Sequence, residues 1–206
     1  MQFIPVQIPA IILAAGKSER FGAPKVLQTF AGQPFLLRIV KSLRSAGIDT
    51  ILLILGHNAE KIISALPEAG QINILMNKQY EMGQFSSLQL GIANLPPDSS
   101  GCLLCLIDQP FLRSDTVGQL RQTGENERDK IIIPIHQNRG GHPVYLPRNL
   151  FEPITGESSS HSLRDVLQKN QNLIIRRKVA DPLIVEDIDT VADLKRLAER
   201  FNPNNS

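Results

Sequence analysis

The stretch Ala10-Ile-Ile-Leu-Ala-Ala-Gly-Lys-Ser-Glu-Arg-Phe-Gly-Ala-Pro-Lys25 decides how the rest of the chain is read. Ala10–Ala14 is apolar without interruption and of strand length, which describes a strand covered on both faces. It runs into Gly16 and then into a short loop holding Lys17, Arg20 and Lys25 with Gly22 and Pro24. Small residues and glycines let backbone N–H groups approach a phosphate chain closely, and clustered cations suit its charge. A tight strand-to-helix turn with solvated charges is the plainer alternative. The concentration of cations and glycines in so short a loop favours phosphate. The loop matches neither the Walker A spacing nor the GxGxxG fingerprint, so ATPase and dinucleotide readings lose support.

Outward from this strand the chain alternates. Helical spacing at Leu36, Val40 and Leu43 predicts a helix over Pro34–Ala46, followed by a strand over Thr50–Leu55 and a helix over Asn58–Leu66. Strands are predicted at Ile72–Met76, Cys102–Ile107 and Lys130–Ile135, with helices at Ser86–Leu95 (capped by Ser86 or Ser87) and Ser114–Gln122. Apolar strands alternating with helices mean an α/β fold with a doubly wound, mostly parallel sheet. Beyond Pro134 the rhythm breaks at Gly140–Gly141 and Pro143–Pro147, predicting a small antiparallel insertion over about residues 136–180. A helix over Leu163–Gln168, strands at Leu173–Val179 and Leu183–Val185, and a closing helix over Thr190–Phe201 complete the reading. Thr190 and Asp193 have capping-box spacing at the start of that last helix. Residues 1–201 read as one domain and 202–206 as a frayed tail.

Composition excludes several classes. A 206-residue chain that is 42% hydrophobic and 20% charged has the profile of a globular protein, and its net charge of +2 gives no reason to expect a nucleic-acid or membrane partner. No run approaches the length of a membrane span, and Pro5 and Pro9 interrupt the apolar N-terminus, which lacks a basic leader, so the chain reads as cytoplasmic. Cys102 and Cys105 have redox-motif spacing but lie in a predicted strand. Residues three apart there face opposite sides, so they read as buried thiols.

In open α/β sheets ligands bind outside the carboxyl ends of the strands. The Cys102–Ile107 strand ends at Asp108-Gln-Pro110, where a carboxylate is a plausible metal ligand or, equally, a turn aspartate. Asp187-Ile-Asp189 precedes the last helix and offers a second carboxylate. Gly83 and the helix start at Ser86–Ser87 could hydrogen-bond a base or ribose. His142, between Gly141 and Pro143, falls in the insertion, while His57, His136 and His161 read as surface or structural residues.

These elements together resemble the nucleotidyltransferases related to the molybdenum-cofactor guanylyl- and cytidylyltransferases. Leu13, Ala14, Ala15, Gly16, Arg20, Phe21, Gly22 and Lys25 fill that family's signature; Asp108-Gln-Pro110, Asp187-Ile-Asp-Thr190, the Asn77–Gly91 segment and Gly141-His-Pro143 match further motifs. The resemblance implies a Rossmann-like nucleotidyltransferase fold. It implies that Leu13–Lys17 wrap a triphosphate, that Lys25 and Arg20 neutralise the reacting phosphate, and that Asn77, Gly83, Ser86 and Ser87 lie along the nucleoside. Gly141, His142 and Pro143 would flank the acceptor. Asp108 and Asp189 would hold Mg²⁺, with Asp187 second to Asp189. Ala15, where guanylyl members carry glycine, implies CTP over GTP, and the implied acceptor is molybdopterin, with a molybdoenzyme or chaperone as a possible protein partner. Val191-Ala192 replaces the family's Pro-Glu, and Glu157–Arg164 departs from its Gly-Asp-x-Gly-Ala-Arg, keeping only Arg164 as a cation. Another sugar- or alcohol-phosphate nucleotidyltransferase and a non-catalytic nucleotide-sensing module are the competing expectations.

Overall fold

A computed structural model describes residues 7–18, 21–66 and 72–200. The core is laid down by β1 (Ala10–Ala14), whose residues are all buried. Because side chains alternate along a strand, Ala10, Ile12 and Ala14 enter one apolar core and Ile11 and Leu13 the other. Parallel partners flank it on both sides: β4 (Ile51–Leu55) and β6 (Gly101–Leu106). β5 (Asn73–Met76) continues the sheet beyond β4 in parallel. Such strands need helical cover on each face. On one face lie α1 (Phe35–Ser45), α4 (Ser114–Asn126) and α7 (Val191–Arg200), contributing Ile39, Leu43, Val117, Leu120 and Leu197. On the other lie α3 (Gln84–Ala93), α5 (Phe151–Gly156) and α6 (Leu163–Lys169), contributing Leu88, Ile92, Ile154 and Val166.

The expected antiparallel element is built into the main sheet. After β7 (Ile131–His136) the chain turns through β8 (Arg139–Gly140) and returns as β9 (Val144–Pro147), antiparallel between β6 and β7. β10 (Ile174–Lys178) then adds in parallel on the far side of β7. Among the described residues the order is β10-β7-β9-β6-β1-β4-β5, with β8 paired on β7. Gly101 and Gly124 leave room for the buried ring of Tyr145, which a Cβ at either position would strike.

Several boundaries differ from expectation for local reasons. α3 starts at Gln84 after Gly83, so Ser86 and Ser87 sit inside its first turn and do not cap it. Leu183–Val185 is part of a 3-10 turn, Pro182–Val185, started by Asp181 accepting from the Leu183 amide at 3.0 Å. The capping box at Thr190 forms as expected: Asp193 accepts from the Thr190 amide at 2.9 Å and donates its own amide to Thr190 Oγ1 at 3.1 Å. α6 carries a second box, Ser162 with Asp165. Cys102 and Cys105 are free, buried and in different cores, as the strand period requires. Burial pushes the Cys105 thiol up to about 12 and the Cys102 thiol higher still. The N-terminal six residues and the tail lie outside the described residues.

Candidate active site

The carboxyl ends of β1 and β6 open into a cleft of about 580 Å³. Leu13, Ala14, Ala15, Gly16, Lys17 and Ser18 wall one side of it. Gly16 has a φ that any residue adopts, and a Cβ there would meet nothing within 4 Å. The glycine is therefore not required by packing inside the protein, and the space above it belongs to the cleft. Ser18, at φ 54°, reverses the chain, and its Oγ accepts from the Lys25 amide at 3.3 Å. Phe21 is buried edge-on to Phe35, with ring centroids 6.4 Å apart, and this anchors the returning segment. Arg20 lies outside the described residues.

That return delivers Lys25 to the bottom of the cleft. Lys25 is buried, and its Nζ lies 2.7 Å from Asp189 Oδ1 and 3.7 Å from Asp108 Oδ2. Two loops bring these carboxylates together. The Ile188 amide donates to the Asp108 carbonyl at 2.8 Å, and Gln109 Nε2 donates to Asp187 Oδ1 at 2.8 Å. Asp187 is thereby engaged by Gln109, whereas Asp189 lines the cleft. Burial raises the Asp108 carboxyl above its ordinary range. Lys25 opposes that shift, and the Asp187 and Asp189 charges reinforce it.

Asp108 Oδ1 is buried with no hydrogen-bond partner. A buried, unsatisfied carboxylate oxygen is costly unless something binds it. Asp108 and Asp189 both line the cleft, an arrangement suited to Mg²⁺, which keeps one or two protein carboxylates and completes its shell with phosphates and water. Among the described residues no group of three or more His, Cys, Asp or Glu side chains could hold a metal ion.

The opposite wall comes from the segment after β5. Tyr80, Gly83, Gln84 and Ser87 line the cleft. Asn77 and Ser86 do not, although sequence placed them along the nucleoside. Both are buried behind the wall: Asn77 Nδ2 donates to Ser86 Oγ and Ser87 Oγ at 2.9 Å each, and Asn77 Oδ1 accepts from the Gln79 amide at 2.9 Å. They hold the wall in place. Sequence reading missed Gly56, at which a Cβ would come within 2.5 Å of the Tyr80 Cβ and 2.8 Å of the Ala15 carbonyl oxygen. A glycine directly after an apolar strand was the available signal, the same one that marked Gly16. At the cleft mouth Lys17 Nζ lies 3.8 Å from Glu81 Oε1, linking the two walls.

Gly141, His142 and Pro143 are not brought to this cleft. Gly141 is packed against the Ile184 carbonyl, where a Cβ would overlap it, and the His142 amide donates to that same carbonyl at 3.0 Å. His142 and Pro143 line a narrow crevice beside Leu106 and Gln109, and His142 Nδ1 lies 3.2 Å from the Leu104 carbonyl oxygen. Burial lowers the His142 pKa, with the Leu104 carbonyl and Asp187 opposing. This trio is thus packed against Leu104 and Ile184, with Gln109 lining the same crevice.

Similar proteins place the chain in a family. The bifunctional protein GlmU of Bifidobacterium adolescentis is 30% identical over 203 residues, which are 92% of this chain and 40% of that protein. The chain thus spans less than half the length of the curated relatives it matches. Rv0371c from Mycobacterium tuberculosis H37Rv has a crystal structure that superposes with a TM-score of 0.80 at 25% identity, covering 94% of this chain and 99% of that one. Its manganese complex superposes at 0.76 and 22% identity, covering 94% and 98%. The pattern of the MobA-like NTP transferase domain matches residues 10–173, from the first residue of β1 to the turn before β10. The chain belongs to the MobA-like NTP transferase family of nucleotidyltransferases.

Proposed function

We propose that the chain transfers a nucleotidyl group from a Mg²⁺-bound nucleoside triphosphate, CTP by preference, to the phosphate of a small acceptor, molybdopterin in the first instance. The observation that carries this reading is Lys25 Nζ held between Asp108 and Asp189 at the foot of a glycine-walled cleft. An oxygen of the acceptor phosphate attacks the α-phosphorus, the α–β phosphoanhydride bond breaks, and pyrophosphate leaves. Such transfers depend on positioning and charge neutralisation more than on covalent catalysis. A divalent ion held by Asp108 and Asp189 would neutralise charge on the phosphates. The backbone of Ala15–Ser18 cradles the triphosphate, and Lys25 supplies positive charge beside it. An acceptor phosphate is already ionised, so the step needs no general base. The manganese complex of the Rv0371c relative supports a divalent ion in this role.

Ala15 supports CTP. It lines the cleft beside Tyr80, so its methyl occupies space that glycine would leave to a larger base. The acceptor has a second reading, another sugar or alcohol phosphate. In the segment that departs from the family pattern, Glu157 is engaged by Lys169 and His161, and Ser162 by Asp165. These polar groups satisfy one another, which favours an acceptor that does not need them. The test is pyrophosphate release, with each of the four nucleoside triphosphates against molybdopterin and a panel of sugar and alcohol phosphates. Release with CTP and molybdopterin supports the first reading. Release with CTP and only another phosphate supports the second. A preference for GTP removes the CTP assignment, and silence with every pair refutes transfer.

A further inference from the structure

A second cavity, of about 370 Å³, lies between the first turns of α1, the turn Pro110–Arg113 and the hairpin formed by β2 (Thr29–Phe30) and β3 (Gln33–Pro34). Among the described residues Arg38, Lys41 and Arg113 line it, and no carboxylate does. Arg38 and Lys41 are three apart on α1 and so share a face. Among the described residues none of these three cations has an ion pair. The Arg38 guanidinium lies against two aromatic rings, 5.3 Å from the Phe30 centroid and 5.0 Å from that of Phe111, and those rings meet edge to face at 4.8 Å. Cation–π contacts fix the guanidinium without consuming its N–H donors. Its Nη1 reaches Gln33 Oε1 at 3.4 Å, and its Nε is buried with no partner. Three cations held around one space repel each other, and an anion entering it would relieve that repulsion while satisfying the donors.

We propose that this cavity is a binding site for a small phosphorylated molecule, its phosphate clasped by Arg38, Lys41 and Arg113 and its body set against Phe30, Phe111 and Leu183. Arginine and lysine suit phosphate, and the volume exceeds what a bare phosphate fills. The site stands apart from the catalytic cleft, and none of the residues lining that cleft lines this cavity. It is nevertheless joined to the cleft by chain connectivity, since Asp108 is followed directly by Gln109, Pro110 and Phe111. Ser42 Oγ donates to the Leu112 carbonyl at 2.5 Å and ties the same turn to α1. A ligand pressing on Phe111 therefore acts on the turn that carries Asp108. The proposal does not depend on the reaction assigned to the cleft.

Lysine acetylation read by mass spectrometry tests it, because Lys41 is exposed and reports on the cavity directly. The full chain is labelled with and without inorganic pyrophosphate or phenyl phosphate. Lys41 is expected to be protected by at least one of them. Stronger protection by phenyl phosphate is expected, because only that probe has a body to set against Phe30, Phe111 and Leu183, and stronger protection by pyrophosphate overturns the assignment of an organic phosphate. Removing one of three charge-assisted contacts should raise the half-protecting concentration about tenfold or more. Arg113→Ala makes that test while leaving the aromatic clamp intact, and Arg38→Gln repeats it at the clamp, with thermal melts checking that both variants fold. Lys25→Met should leave the protection unchanged. Absence of protection by either probe overturns the proposal. So does protection that survives Arg113→Ala and Arg38→Gln, or protection that disappears with Lys25→Met.

Discussion

Lys25 occupies the place a metal ion would contest, so replacing it should have opposite effects on activity and on metal affinity. Its Nζ lies 2.7 Å from one carboxylate and 3.7 Å from the other. With an effective dielectric constant near 20, these separations correspond to gross Coulomb attractions of about 6 and about 4 kcal/mol. Much of that is offset by desolvation, and the Asp189 side chain is 32% exposed, so solvent weakens the pair further. A net coupling of about 1–3 kcal/mol remains, equivalent to about 5–150-fold in an equilibrium constant. Lys25→Met removes the charge while keeping the unbranched apolar stem. Without nucleotide, the variant should bind Mn²⁺ or Mg²⁺ more tightly than the wild type by a factor in that range. Its thermal stability should be lower without metal and recover as metal is added. Nucleotidyl transfer should nevertheless fall by about a hundredfold or more, because the positive charge beside the phosphates is gone. Titration calorimetry of the nucleotide-free protein, melts across a metal series and a pyrophosphate-release assay measure the three quantities. Unchanged or weaker metal binding by Lys25→Met would refute the idea that lysine and metal compete for Asp108 and Asp189.

Three further outcomes follow from the same geometry. Gly16→Ala should leave the melting temperature within about 1 °C of wild type, since the added Cβ meets no protein atom, yet weaken nucleotide binding measured by calorimetry; a large loss of stability would show that Gly16 serves the fold. Asn77→Ala should cost about 2–4 kcal/mol in urea unfolding, because it strands the Gln79 amide and removes both serine contacts, and should raise KM through the displaced wall; an effect below about 0.5 kcal/mol would contradict the clamp. Asp193 is held below the usual carboxylate range chiefly by the Thr190 hydroxyl, so its folded pKa is depressed and its stabilising contribution is present at neutral pH. That contribution should fade as pH falls from about 4 through the depressed folded value, so the melting curves of wild type and Asp193→Asn should converge there. Curves that stay parallel across that range would remove Asp193 as the source.

What the sequence could show depended on the range of the interaction involved. Strands β1, β4, β6 and β7 were legible because full burial leaves unbroken apolar runs; Gly16 and Asp108 were legible because they follow such runs, and Lys25 because cations cluster in the loop after β1. β9 was harder to read: Val144–Pro147 has two prolines at its borders, and nothing local shows that Gly101 and Gly124, distant in sequence, make room for Tyr145 between β6 and β7. The same limit separates the side chains that face the cleft from those that support it. Asn77, Ser86 and Ser87 share one motif, yet only Ser87 lines the cleft, because the first two are turned inward to hold the chain leaving β5 against the start of α3.

The carboxylates show how contacts between distant parts of the chain set apart two aspartates that the family resemblance ranks only by motif. Asp187 and Asp189 are two apart in an irregular segment, and period alone cannot say which of them faces Asp108. The choice is made by contacts with a different strand end. Gln109 binds Asp187, and the Ile188 amide binds the Asp108 carbonyl, which leaves Asp189 facing Lys25. The pair of loops is thus one unit, in which Gln109 positions both carboxylates at once by following one and bonding the neighbour of the other. On this account the Gln after Asp108 helps to bring the end of β6 and the distant loop before α7 to a single cation, the lysine delivered by the glycine-rich turn.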